Sequence, residues 1–421
     1  MEVKINSLRE PQAWSEVSVD DLKAPNENAL STGPFGSSIG SRFFQPTGVP
    51  LIRGSNLSAD GRTHLVDDGL VFVSEAKAAE LRRSTVREGD LIFTCWGTIN
   101  QVGLISDRAA HPRYVISNKQ MKLTPDPRKV DSLFLFYLFS GAELQRRIIN
   151  QSIGSSIPGF NLGQLRALRF RVPPLPQQKA IAEALSDADA LIESLEQLVA
   201  KKHQVKQGAM QELLRPKPSD DVRFLGEVSS LKGRIGWQGL KQAEFTTNDA
   251  EPFLITGMNF KEGAIRWNEV YHISEARYEI APEIQLRPND VLMTKDGTIG
   301  KVLYLDTIPY PGKASLNSHL LLFRPVGSSY NPRYLYYQLG SRRFKDFVEL
   351  SKSGTTFFGL SQASVAAYPV LLPPLAEQIR IAKVLSDLDT EITALEARLA
   401  KTRGIKQGMM QELLTGGIRL A

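Results

Sequence analysis

The chain has 421 residues, 42% hydrophobic and 23% charged, a globular composition that excludes collagen-like and intrinsically disordered classes and suits two or three domains. Its 51 Lys+Arg against 45 Asp+Glu leave a net charge of +6, which permits a nucleic-acid surface without demonstrating one. A single cysteine, Cys95, excludes an internal disulfide or a Cys-rich metal site, and the five histidines (His64, His111, His203, His272, His319) lack ligand spacing; with no signal-like start and no long apolar run, the expectation is a cytoplasmic chain with neither metal nor membrane span.

In chain order, short apolar or alternating runs predict strands at Val49–Ile52, Leu70–Val73, Asp90–Thr94, Gln101–Ile105 and Gln120–Leu123. A helix is expected over Ser132–Ile149. Pro173-Pro174 then blocks helix upstream, and from Ala180 to Leu214 the apolar residues Ile181, Ala188 and Leu195, with Leu185, Ile192 and Val199, recur every seven positions. The same order follows again. Strands are expected at Phe253–Thr256, Asp290–Thr294, Lys301–Leu305 and His319–Phe323, with a helix over Pro332–Leu350. After Pro373-Pro374 comes a second heptad stripe, Ile381, Leu388 and Leu395 with Leu385, Ile392 and Leu399. Gly208 and Gly408 weaken the far ends of both helices, and the stripes turn polar at Lys202, Lys206 and Lys406.

The two halves are copies. Pro173–Leu214 and Pro373–Leu414 align without a gap at an offset of 200 and share 23 of 42 residues, far beyond chance. Asp90–Val102 faces Asp290–Val302 at the same offset, and IRGSN at Ile52–Asn56 faces ITGMN at Ile255–Asn259 at an offset near 203. A stripe two positions wide buries little alone, so the two similar helices are expected to pair with each other, antiparallel. The predicted fold is α+β: two modules with small twisted sheets, separated by an antiparallel two-helix coiled coil, with an internal pseudo-two-fold repeat of about 200 residues. The expected divisions are 1–171, 172–214, 215–371 and 372–421.

Catalytic motifs do not emerge. Gly297-Thr298-Ile299-Gly300-Lys301 is too short for a P-loop, and no dinucleotide-type glycine loop or nucleophile elbow is present. Pro-Pro followed by Leu lacks the aromatic of an amino-methyltransferase signature. Asp187/Asp189 and Asp387/Asp389 point apart on a helix and read as a solvated face or partner contacts. Basic, amide and aromatic residues near glycine turns are instead candidates for DNA contact. In the first module these are Arg42, Arg53, Asn56, Trp96, Asn100, Lys119 and Ser155. In the second they are Lys232, Arg234, Trp237, Lys241, Lys295, Lys301, Lys352 and Thr355. The loops Gly154-Ser155-Ser156 and Gly354-Thr355-Thr356 offer N–H groups and hydroxyls to phosphates.

The repeated PPLPQQKAIAEALSDAD…QGAMQELL and PPLAEQIRIAKVLSDLD…QGMMQELL, with GDLIFTCWGT, NDVLMTKDGT and the GPFGSSI stretch, resemble the specificity (S) subunits of type I restriction–modification enzymes over essentially the whole chain. The second module departs from the pattern, with GRIGWQ in place of GPFGSS. The resemblance implies two target-recognition domains that read the halves of a split, asymmetric DNA target. It implies two methyltransferase (M) subunits as partners, with Gln178, Gln378, Glu212 and Glu412 on the helices as candidate contacts for them, and restriction (R) subunits joining through them. It further implies that S-adenosylmethionine, ATP and Mg2+ sit on those partner subunits and that this chain is non-catalytic and binds no cofactor. At about 1.5 Å per residue, the Ala180–Leu214 helix is about 50 Å long, a length suited to setting the unread spacer between half-sites. Two other readings are a self-contained DNA methyltransferase or nuclease, which needs a cofactor fold, and a coiled-coil protein scaffold, which needs no DNA selectivity.

Overall fold

The structure, a computed structural model, describes residues 14–35, 38–153, 158–234, 240–261, 263–351 and 359–418. They form two compact units: one takes residues up to 196 together with those from 397 onward, and the other takes 197–396. The boundaries fall inside two long helices, Leu175–Leu213 and Leu375–Thr415. Each unit therefore holds one module and part of both helices. A division in sequence order cannot register this, because it assigns each helix whole to one place.

In the first unit, Leu30–Thr32, Gln120–Leu123, Leu91–Thr94 and Val102–Leu104 form an antiparallel sheet in that spatial order. A second sheet runs Val71–Val73, Val49–Ile52, Tyr114–Ile116, Thr85–Val86, with its central pair parallel. The second unit repeats both. One sheet is Ser229–Lys232, Leu320–Pro325, Val291–Thr294, Val302–Tyr304. The other is Phe245–Thr246, Tyr271–Ile273, Phe253–Ile255, Ala314–Leu316, again with one parallel pair. Strand pairs Ser15–Ser18 with Arg169–Val172 and Asp221–Phe224 with Pro369–Leu372 join the ends of each module. The parallel strands Tyr114–Ile116 and Ala314–Leu316 escape the sequence reading. They are three residues long and wholly buried, so no alternation marks them.

The helices expected over Ser132–Ile149 and Pro332–Leu350 are each broken in two, as Ser132–Ser140 and Ala142–Asn150, then Pro332–Gly340 and Arg342–Ser351. Gly141 and Ser341 sit at the breaks in extended conformation. At Gly141 a Cβ would lie 3.4 Å from Leu414 Cδ1. Leu413 and Leu414 at the end of the second long helix share a core with Leu138, Leu144 and Ile148 from either side of the break. Asp131 and Asn331 cap the leading helices, accepting from the N–H of Phe134 (2.8 Å) and Tyr334 (3.0 Å).

Much of each heptad stripe is buried: Ile181, Leu185, Ile192 and Leu195 on the first helix, Ile381, Leu385, Ile392 and Leu399 on the second. Ile181 and Leu185 share a core with their module and with Leu413 and Leu414 at the end of the other helix, and Ile381 and Leu385 share one with Tyr334, Tyr337 and Leu214. The helices run on through Gly208 and Gly408, where an added Cβ would meet nothing. The polar ends of the stripes are filled by ion pairs between the helices. In the first unit Lys406 Nζ lies 2.6 Å from Asp189 and donates to the Gly61 carbonyl at 3.0 Å, while the Tyr137 hydroxyl donates to Asp189 at 2.8 Å. Arg403 and Arg62 both pair with Glu196, at 2.6 and 2.8 Å. In the second unit Lys206 pairs with Asp389, which also accepts from Tyr337 at 2.7 Å, and Lys202 pairs with Glu391 at 2.7 Å. Within each unit the partners ascend one helix as they descend the other, so the segments are antiparallel. Asp189 and Asp389, assigned from the sequence to a solvated face or partner contacts, are interhelical partners instead. Their neighbours Asp187 and Asp387 are exposed.

Among the described residues no helix is long and apolar enough to cross a membrane, and no group of three or more His, Cys, Asp or Glu side chains is placed to hold a metal.

Gly33 tests the packing of the first module. A Cβ there would lie 1.8 Å from the Ser117 carbonyl oxygen, which is backbone and cannot rotate away, whereas a Cβ at Gly40 would meet nothing. Gly33→Ala is expected to destabilise the protein by about 1–3 kcal/mol or more, and Gly40→Ala by less than about 1 kcal/mol, as read from urea unfolding midpoints.

Candidate nucleic-acid interface

The clearest candidate surface is built on the turn that follows the third strand of each antiparallel sheet. In the first module the Thr94 hydroxyl donates to the Thr98 carbonyl, closing the turn, and Gly97 occupies the left-handed region at φ +85°. The second module repeats this with Thr294, Thr298 and Gly297 at φ +69°. A residue other than glycine is strained there. Two neighbouring segments lock each turn by backbone bonds. Cys95 N–H donates to Lys119 C=O at 2.8 Å and Phe160 N–H to Cys95 C=O at 3.0 Å. The second module has Lys295 N–H to His319 C=O and Leu360 N–H to Lys295 C=O, both 2.9 Å. The frames are the same and their side chains differ.

In the first module the turn opens on a groove of about 610 Å3 lined by Arg53, Trp96, Thr98, Gln101, Asn118 and Lys119 among others, with no acidic residue in its described lining. Trp96 is 54% exposed, its ring lying against Gly159, where a Cβ would come within 2.8 Å of Cζ3. Lys119 is exposed and Arg53 half-buried, the latter donating to the Gly69 carbonyl at 2.9 Å. Two cations and an exposed indole on one wall suit phosphate and base contact. The equivalent place in the second module holds Asp296, whose carboxylate lies 3.0 Å from His319 Nδ1. Sequence reasoning missed Thr98, Gln101, Asn118, Asp296 and His319. The offset of 200 pairs Trp96 with Asp296 and Lys119 with His319, and that pairing is the signal that could have found the last two.

The other candidates scatter. Arg42 is exposed, its guanidinium 4.7 Å from the centroid of the Phe43 ring. Asn100 is half-buried beside the first turn, while Lys232, Lys241 and Lys301 are exposed and Lys295 is half-buried. Ser155, Trp237, Lys352 and Thr355 lie outside the described residues.

Four candidates are corrected by burial. Asn56 is fully buried; its Oδ1 accepts from Arg53 N–H at 3.0 Å and its Nδ2 donates to the Val66 and Asp68 carbonyls. Asn259 does the same work in the second module, accepting from Thr256 N–H at 2.8 Å. This accounts for the IRGSN/ITGMN echo as loop architecture. Arg234 is 4% exposed and donates to the Leu316 carbonyl and the Ser315 hydroxyl, both at 2.9 Å; burial pulls its pKa down to about 10. Gln178 and Gln378, named for partner binding, are buried, each accepting at 2.9 Å from the N–H of a helix-capping residue, Asp131 and Asn331 respectively. Each amide also donates to the carbonyl of the preceding Pro173 or Pro373 at 2.8 Å. They fasten a long helix to its own module. Glu212 and Glu412 are exposed on the helices.

The sequence profile described as the type I restriction modification DNA specificity domain matches residues 53–206 and 222–402. The chain belongs to this family. A putative type I restriction enzyme MjaX specificity subunit from Methanocaldococcus jannaschii is 22% identical over 423 residues, covering 97% of this chain and 95% of that one. The MjaVIII specificity subunit of the same organism is 28% identical over 329 residues, covering 73% and 75%. The crystal structure of a type I restriction–modification S subunit from M. genitalium superposes with a TM-score of 0.60 at 17% identity over 97% of each chain, a likeness of fold. As a specificity-family member, the chain carries the family's domain twice, once per module.

Cys95 closes the site's chemistry. It is buried at the base of the turn, and burial pushes its thiol up to about 11. A raised thiol pKa keeps the neutral form at every pH below that value, so the nucleophilic thiolate is scarce. A disulfide reagent at pH 8 is expected to modify Cys95 at least about tenfold more slowly in the folded protein than in denaturant. Equal rates would contradict the burial.

Proposed function

We propose that the chain is the DNA-reading subunit of a type I restriction–modification complex. It binds double-stranded DNA, reads a split asymmetric target with its two modules, and positions two methyltransferase subunits, through which restriction subunits join. The observation that carries this reading is the duplicated turn frame with unlike side chains: one framework used twice, chemically different each time, suits two different half-sites. Mismatches at separated positions cost about 1–3 kcal/mol each and add roughly, so two readers multiply selectivity.

The chain supplies position and no chemistry of its own. S-adenosylmethionine, ATP and Mg2+ belong on the partner subunits, and the whole complex works in the cytoplasm. A target base inside a stacked duplex is out of reach, so the methyltransferase subunits extrude it; the task of this chain is to hold them over the correct base. The matched exposed faces of the long helices, including Glu212 and Glu412, suit two equivalent partner subunits. The paired helices set the unread spacer between the half-sites.

The test is to map methylated adenines in a host genome with this chain present and deleted. The expected outcome is a two-part asymmetric motif that disappears with the deletion. An unchanged methylation pattern in an otherwise competent host would overturn the assignment.

A further inference from the structure

The repeat superimposes two unlike pairs of side chains on one backbone frame. In the first module, Trp96 and Lys119 flank the turn whose Cys95 N–H reaches the Lys119 carbonyl. In the second, Asp296 and His319 flank the turn whose Lys295 N–H reaches the His319 carbonyl. Trp96 and Asp296 also occupy the same bridge in the chain, to Gly159 and Gly359 respectively. The backbone around each pair is fixed by threonine, glycine and main-chain bonds common to both modules, so the difference between the modules here lies in what the two side chains offer.

What they offer is opposite. Lys119 is a donor with no acceptor capacity, and the exposed Trp96 face is apolar. Together they suit the acceptor edge of guanine or the methyl and O4 of thymine. Asp296 is an acceptor, oriented by His319 at 3.0 Å, and suits an exocyclic amino group, cytosine N4 or adenine N6. A phosphate would be repelled by the Asp296 carboxylate, whereas an amino group on a base edge would be bound. We propose that positions 96 and 119 in the first module, and 296 and 319 in the second, are base-reading positions that make the two half-sites different. The proposal rests on the DNA-reading assignment above and adds which side chains read and which kind of base edge each pair selects.

The experiment uses the full chain assembled with its methyltransferase subunits. Genome-wide methylation mapping with the wild type first gives the two-part motif. If no motif depends on this chain, the DNA-reading assignment fails, and that failure is distinct from failure of the present proposal. The double variant Trp96→Asp with Lys119→His grafts the second module's pair onto the first. It is expected to change the bases of one half-site while the other half-site and the spacer stay as they were; methylation of the unaltered motif would overturn the proposal. Should the graft not assemble, Lys119→Ala is measured for binding to duplexes carrying single base-pair changes. Discrimination at one position of one half-site is expected to fall about tenfold or more, with the other half-site unaffected. An equal loss of affinity on every duplex, with all discrimination kept, would make Lys119 a phosphate contact and overturn its assignment.

Discussion

The pairing of the two long helices in the first unit turns on a buried charge placed where an apolar stripe runs out. Lys406 reaches Asp189 with only 8% and 13% of the two side chains exposed, and Tyr137 from the module completes the cluster. A buried ion pair is a weak source of net stability, because desolvation offsets most of the attraction. Its value lies in selectivity: a lysine that must find one carboxylate fixes the register of two helices whose leucines alone would tolerate a slip. The cluster joins three parts of the sequence far apart in number, the first module, the first helix and the end of the second helix. Lys206, Asp389 and Tyr337 make the same contacts in the other unit, with the ion pair more exposed.

That constraint determines how the molecule presents its readers. Gln178 and Gln378 fasten the start of each long helix to its module. The ion pairs then hold the far end of the other helix against the same body. Each turn carrying Gly97 or Gly297 is therefore mounted on a module tied to both helices. A base-reading side chain discriminates only if its own position is fixed, since a misplaced donor loses its bond to the right base as readily as to the wrong one. In this arrangement the rigid parts are alike between modules and the variable parts sit on the surface.

Much of this was legible in the sequence because duplication makes a chain its own alignment. The 200-residue offset alone marks the helices, their stripes and the paired Gly-Thr turns. Burial was not legible. Asn56, Arg234, Gln178 and Gln378 have the side chains of surface contacts, and only packing shows their polar groups already bonded inside. The breaks at Gly141 and Ser341 were hidden for a different reason: the helical periodicity continues across them, and only their extended backbone shows that each helix stops there. The paired aspartates illustrate the limit of helical-face arguments. Spacing shows that Asp187 and Asp189 diverge, but not that a lysine more than two hundred residues later waits for one of them.

The most direct measurement of the central claim is a double-mutant cycle on Asp189 and Lys406, comparing Asp189→Asn, Lys406→Met and both together by chemical unfolding. If the buried pair ties the second helix to the first, each single change leaves an uncompensated buried group, and the two effects couple by more than about 1.5 kcal/mol. Single effects that simply add, to within about 0.5 kcal/mol, would mean the helices are held in register by something else.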